Sequence, residues 1–154
     1  MEFLRLNLLA PLLLSLSLLL PLTLAVDVTY CDKNADYDVT VQGVEISPYP
    51  VVRGSPATFS ISANTGETIT GGKLVIDVSY FGWHIHSETH DLCEESSCPV
   101  SSGDFVISHT QVLPGFTPPG TYNLKMKLVD KKNKELTCIG FDFSIGFVSP
   151  VADS

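Results

Sequence analysis

The sequence predicts an all-β protein built as two antiparallel sheets packed face to face. Three observations carry this: apolar residues recur at every second position in successive runs, clusters of Gly, Pro, Ser and Asn separate those runs, and nothing beyond the apolar N-terminal segment has a helical period. Each run has one dry and one wet face. Six or seven such strands bury their dry faces by turning two sheets toward each other.

The first segment is of another kind. Residues 8–24 carry no charge and are dominated by leucine, Arg5 is the single base before them, and small residues, Thr23 and Ala25, close the run. This is the pattern of a secretory signal peptide, residues 1–25, with cleavage expected after Ala25. Pro11, Pro21 and the lack of a basic flank after Ala25 argue against a membrane anchor. Such a leader routes the chain through the ER, to the cell exterior or apoplast or to a vacuolar lumen. The leader holds one acid, Glu2, and one base, Arg5, so the rest keeps the full charge of −8. That balance excludes a nucleic-acid partner and a polybasic grip on anionic membranes, because no basic stripe is present to meet phosphates.

Strands are expected at 37–46 and at 104–112. Between them, Phe59, Ile61 and Ala63 alternate with Thr58, Ser60 and Ser62, and Leu74, Ile76, Val78 and Tyr80 alternate with Asp77 and Ser79. Further on, Tyr122, Leu124, Met126 and Leu128 alternate with Asn123, Lys125 and Lys127, and Ile139, Phe141, Phe143 and Ile145 with Gly140, Asp142 and Ser144. Turn signals lie at 47–50, 53–56, 70–72, 114–120 and 131–134. The chain past the leader is one domain, 26–147, followed by a flexible tail, 148–154.

Cys31, Cys93, Cys98 and Cys138 all follow the leader, an even count in an oxidising compartment. Three pairings are open on sequence alone; the short spacing of Cys93 and Cys98 makes them natural partners, leaving Cys31 and Cys138 to tie the two ends.

His84 and His86 are expected on one strand face, with His90 and Cys93 close behind. A cysteine in a disulfide cannot ligate, so these read as surface histidines, and neither metal nor cofactor is expected. Nucleophilic catalysis has no support: there is no Gly-x-Ser-x-Gly elbow, Ser108 and His109 point to opposite faces, and Glu94 and Glu95 look like a solvated loop. The protein is therefore expected not to be an enzyme. The informative residues are apolar and stand at turns. Phe81, Trp83 and Ile85 share a parity, and Phe116 sits in a loop stiffened by Pro114, Pro118 and Pro119. Apolar groups in such places cost solubility unless they meet something apolar.

The ordered set Cys31, then Val44-Glu45-Ile46-Ser47-Pro48-Tyr49-Pro50, Cys93-x4-Cys98-Pro99, Leu113-Pro114, Tyr122-x-Leu124-x-Met126 and Leu136-Thr137-Cys138 resembles the ML lipid-recognition family. It looks closest to the plant-type phosphatidylglycerol/phosphatidylinositol transfer proteins and more distantly similar to the soluble Niemann-Pick type C sterol-binding protein. The resemblance implies an immunoglobulin-like β-sandwich with a lipid cavity between its sheets, and disulfides Cys31 with Cys138 and Cys93 with Cys98. It departs from the sterol-binding relative at Tyr49, which stands where that relative begins a third disulfide. On this likeness the wall is expected to comprise Val78, Tyr80, Tyr122, Leu124, Met126, Phe141 and Phe143, with Phe81, Trp83, Ile85 and Phe116 at the mouth. The expected ligand is a sterol or phospholipid, carried between membranes through transient contact. The alternative is a lipid-sensing module that presents its ligand to a protein partner.

Overall fold

The computed structural model describes residues 23–146. The tail 148–154, and the leader apart from its last three residues, lie outside the described residues. Among the described residues, nine strands form two antiparallel sheets. The first sheet runs β1 (Leu24–Val26), β3 (Val39–Ser47), β4 (Pro56–Thr65), β7 (Gly103–Val112), in that spatial order. The second runs β2 (Thr29–Tyr30), β9 (Glu135–Ile145), β8 (Gly120–Asp130), β5 (Gly72–Tyr80), β6 (Trp83–Asp91). One turn of helix, α1 (Leu92–Glu95), follows β6, and its first turn is capped by Asp91, whose carboxylate accepts from the Cys93 amide at 2.8 Å. The expected cleavage point after Ala25 falls inside β1, which pairs with β3 at Ala25 opposite Glu45.

Alternation decides which side chains meet. In β8, Tyr122, Leu124, Met126 and Leu128 are buried while Thr121, Asn123 and Lys125 face water. Their neighbours in β9 continue the dry face, Phe143 opposite Tyr122 and Phe141 opposite Leu124. From the other sheet Phe59, Ile61 and Ala63 of β4 close over them, with the Phe59 ring 5.5 Å from that of Phe143 and at a steep angle to it.

Two disulfides lock the sandwich. Cys31–Cys138 fastens the start of the domain to β9, and Cys93–Cys98 closes the loop after α1. The edge after β3, next to Tyr49, is held by Val51, which is fully buried and bridges to Ile145. The Gly54 amide also donates to the Leu113 carbonyl at 2.6 Å.

The two ends of the sandwich differ. Around Val39, Leu74, Ile107, Met126, Leu128 and Ile139 the sheets interlock and leave a void of only about 10 Å³. At the other end they part.

Candidate functional site: an apolar cavity with an aromatic mouth

Where the sheets part, a cavity of about 400 Å³ opens between them, a volume within the range of small-molecule pockets. Its floor and walls are rows of the strands just described: Phe59 from β4, Ile76 and Val78 from β5, Tyr122 and Leu124 from β8, Phe143 and Ile145 from β9. Val112, Leu113, Pro114, Phe116 and Pro118 close one side of the mouth and Ile85 the other. His86, Glu88, His109 and Gln111 supply a polar strip on one wall. Among the described residues, no Lys or Arg lines it.

Tyrosine hydroxyls hold the mouth loop to the sheet. Tyr122 donates to the Pro118 carbonyl at 2.6 Å and Tyr80 to the Pro119 carbonyl at 2.9 Å, and the two rings stack at 4.5 Å. Burial, reinforced by neighbouring Tyr80 and only partly offset by Arg53, raises the Tyr122 pKa, so its hydroxyl remains a donor at neutral pH. The loop closes on itself through Thr117, whose amide and hydroxyl both meet the Pro114 carbonyl. Phe116 is thereby presented on a stiff turn, 85% exposed.

Opposite it, Phe81 and Gly82 link β5 to β6 in a two-residue hairpin with φ of 51° and 78°. Positive φ at both central residues is the mark of a type I′ turn, where Asn-Gly or Asp-Gly is the usual pair. A phenylalanine there is strained and stands 81% exposed beside Trp83, 75% exposed. Such a position favours function over stability. Phe81→Asn is expected to stabilise the fold by about 1 kcal/mol while weakening association with vesicles; denaturant midpoints and co-sedimentation report the two effects separately.

The cavity brings together Val78, Ile85, Phe116, Tyr122, Leu124 and Phe143 of the expected set, and leaves out five. Met126 belongs to the interlocked end and Phe141 packs beneath Phe59, because both face inward where the sheets have already closed. Tyr80 braces the loop from outside the cavity. Phe81 and Trp83 stand largely exposed at the hairpin tip and do not line the cavity. A bulge follows them: the register shifts between Val78 and Ser79 with Ile85 as the extra residue, so that His86 stands opposite Val78 on the inner face while His84 stands opposite Ser79 on the outer. His84 and His86 therefore do not share a face. His84 contacts Asp77 at 3.3 Å outside. Asp77 is held below the usual carboxylate range chiefly by the Ser87 hydroxyl, against slight burial, with His84 and Lys125 assisting. His109 and Gln111 lie inside, on the parity set by Ile107, and that parity was the available signal for them.

Residues 25–145 match the family model described as the ML domain. The chain belongs to the ML domain family. A Dictyostelium discoideum member, provisionally named a phosphatidylglycerol/phosphatidylinositol transfer protein, is 34% identical over 116 residues, spanning 73% of this chain and 80% of its own length. The phosphatidylglycerol/phosphatidylinositol transfer protein of Aspergillus fumigatus is 28% identical over 116 residues, 71% of this chain and 66% of its own length. Among solved structures, a Niemann-Pick type C2 protein from Japanese carpenter ant superposes with a TM-score of 0.53 at 13% identity, over 81% of this chain and 93% of that one. Chicken MD-1, solved with lipid IVa, gives 0.53 at 15% identity, over 82% and 98%. These two likenesses establish the immunoglobulin-like sandwich of this ML domain.

Proposed function

We propose that this ML domain binds a single lipid, phosphatidylglycerol, phosphatidylinositol or a sterol, with its apolar part in the cavity, and transfers it between membranes without chemical change. The observation that carries the reading is a largely apolar cavity of about 400 Å³ with Phe116 at its mouth, beside a hairpin tip that presents Phe81 and Trp83, all three strongly exposed. The relatives' names support it. A methylene gains about 0.8 kcal/mol on leaving water for either the cavity or a bilayer, so the two hosts nearly balance and cargo can pass both ways. Removal of the leader 1–25 and release into a secreted or vacuolar compartment belong to the same proposal, as does disulfide formation there.

Transfer of fluorescent phosphatidylinositol, phosphatidylglycerol and sterol between vesicles tests the reading, together with mass spectrometry of lipids that copurify. Transfer of none of the three, with no lipid copurifying, would refute it; cargo released only to an added protein would favour a presenting module. The mouth makes a further demand. Burying one aromatic side chain in a bilayer is worth about 1.5–3 kcal/mol, so the Phe81→Glu, Trp83→Glu double variant, at the hairpin tip outside the cavity lining, should slow transfer at least about tenfold and leave cargo binding in solution intact. Trp83, the single tryptophan, stands outside the cavity wall. Its emission should move to the blue when vesicles are added and stay in place when a soluble cargo loads.

A further inference from the structure

Between β6, α1 and β7, four side chains form a cluster that lipid binding does not require. Each nitrogen of two imidazoles faces a carboxylate. His90 Nε2 and His109 Nε2 lie 3.0 and 3.3 Å from Glu88 Oε1, and His90 Nδ1 and His109 Nδ1 lie 3.7 and 3.1 Å from Glu95 Oε1. The rings stand 4.7 Å apart. The His109 side chain is only 5% exposed and that of Glu95 13%.

A neutral imidazole carries one N–H and one lone pair. Two neutral rings therefore offer two protons to four carboxylate-facing nitrogens, and two contacts are left with lone pair against lone pair. If both rings donate from Nδ1 to Glu95, the bare Nε2 atoms converge on Glu88. His90 Nε2 is buried and, although 3.0 Å from Glu88 Oε1, has no well-aligned hydrogen-bond partner among the described residues. Turning the Gln111 amide could satisfy His109 Nε2, 3.2 Å away, and would leave His90 as it is. Two positive charges resolve the arrangement and also neutralise the two carboxylates: one divalent cation, or two protons.

We propose that Glu88, His90 and His109 form a binding site for one divalent transition-metal ion of the zinc class, with Glu95 orienting the His109 imidazole from behind through a hydrogen bond and facing that of His90 at 3.7 Å. The three donor atoms lie within 4.8 Å of one another. Donors bound at about 2.05 Å to a tetrahedral ion stand about 3.3 Å apart, close to the separations from Glu88 to each histidine. Two imidazoles and a carboxylate suit zinc, cobalt and nickel rather than calcium or magnesium. A carboxylate on the far ring nitrogen is the arrangement that fixes the tautomer of a metal-bound histidine. Besides these four groups and Gln111, His86 faces the cluster, 3.0 Å from the other oxygen of Glu88. Burial pushes the Glu88 pKa up, but the approach of His86 and His90 and the charge of His90 and His109 when protonated outweigh it, and the carboxylate stays ionised. Glu88 and His109 also line the cavity, so the ion would stand in its polar wall.

The test uses the untagged, disulfide-intact chain stripped of metal and lipid, titrated calorimetrically with Zn²⁺ and followed by visible absorption with Co²⁺. One ion per chain is expected at pH 7.5, with the visible bands of a four-coordinate cobalt site. Because protons compete at both rings, affinity should fall about 100-fold per pH unit below the histidine range. His90→Gln, at a half-exposed position that tolerates change, should abolish binding. Glu95→Gln should weaken it about 10–100-fold, and His84→Gln, on the outer face, should leave it unchanged. No stoichiometric uptake at pH 7.5 would overturn the proposal and assign the cluster to protons alone; so would uptake that survives His90→Gln.

Discussion

Removing the long disulfide by the pair Cys31→Ala, Cys138→Ala is expected to cost about 4–5 kcal/mol of folding free energy, against about 2 kcal/mol for Cys93→Ala, Cys98→Ala. The difference follows from the segments each bridge closes, with sequence separations of 107 and 5. A crosslink removes configurations from the unfolded chain, and the loss grows with the logarithm of the loop. Native contacts add to the asymmetry. Cys31 adjoins β2, whose pairing is confined to Thr29 opposite Gly140 and Tyr30 opposite Ile139. Without the sulfur bridge, that segment is left to two register pairs, the Cys31 amide bonded to the Cys138 carbonyl at 3.0 Å, and Tyr30, whose hydroxyl accepts from the Val41 amide at 2.9 Å and whose ring stacks on Tyr37. Domains of this size have a total stability of about 5–15 kcal/mol, so the long bridge is a large share of it. Denaturant midpoints of the two variants under non-reducing conditions check the claim. Equal losses would show that local packing at each bridge, and not chain entropy, sets its contribution.

The strands were legible in the sequence because a period of two admits few other readings. The rows from Tyr122 to Leu128 and from Ile139 to Ile145 appear in β8 and β9 with the expected side chains inward. Alternation says which way a side chain points, and is silent on how far apart the sheets stand at that level. Met126 and Phe141 were therefore assigned to a cavity wall although they lie where the layers interlock, while Phe59, Ile76 and Ile145 of the same rows do line the cavity. The hairpin tip was obscured because Phe81-Gly82 lacks the asparagine or aspartate that marks a type I′ turn. Past it, a single extra residue in β6, Ile85, reverses parity, which separated His86 from His84. The Glu88, His90, His109 and Glu95 cluster joins three elements across both sheets. Spacing along the chain could not show it, whereas the inward parity of His109 with Ile107 in β7 could have.

Filling the cavity should weaken cargo binding and strengthen the fold at once. Val78 and Leu124 are register partners on β5 and β8 and both line the hollow. The double variant Val78→Phe, Leu124→Phe directs two larger side chains into space otherwise open to ligand. If the added rings displace about four methylenes of cargo, at about 0.8 kcal/mol each, affinity falls about 100-fold. The empty protein meanwhile gains apolar contacts it lacked, and cavity filling of this kind contributes about 0.5–2 kcal/mol of stability. In a close-packed core the same insertion forces strained rotamers and costs about 1–3 kcal/mol. The sign of the stability change therefore reports whether the sheets part here in solution, independently of which lipid is carried. Competition with a fluorescent lipid gives the affinity and thermal unfolding without lipid gives the stability. Loss of both would mean that this end of the sandwich is already full. Loss of affinity with a gain in melting temperature is the result that an open hollow requires, and the Trp83→Glu variant, at the hairpin tip outside the lining, should show neither change.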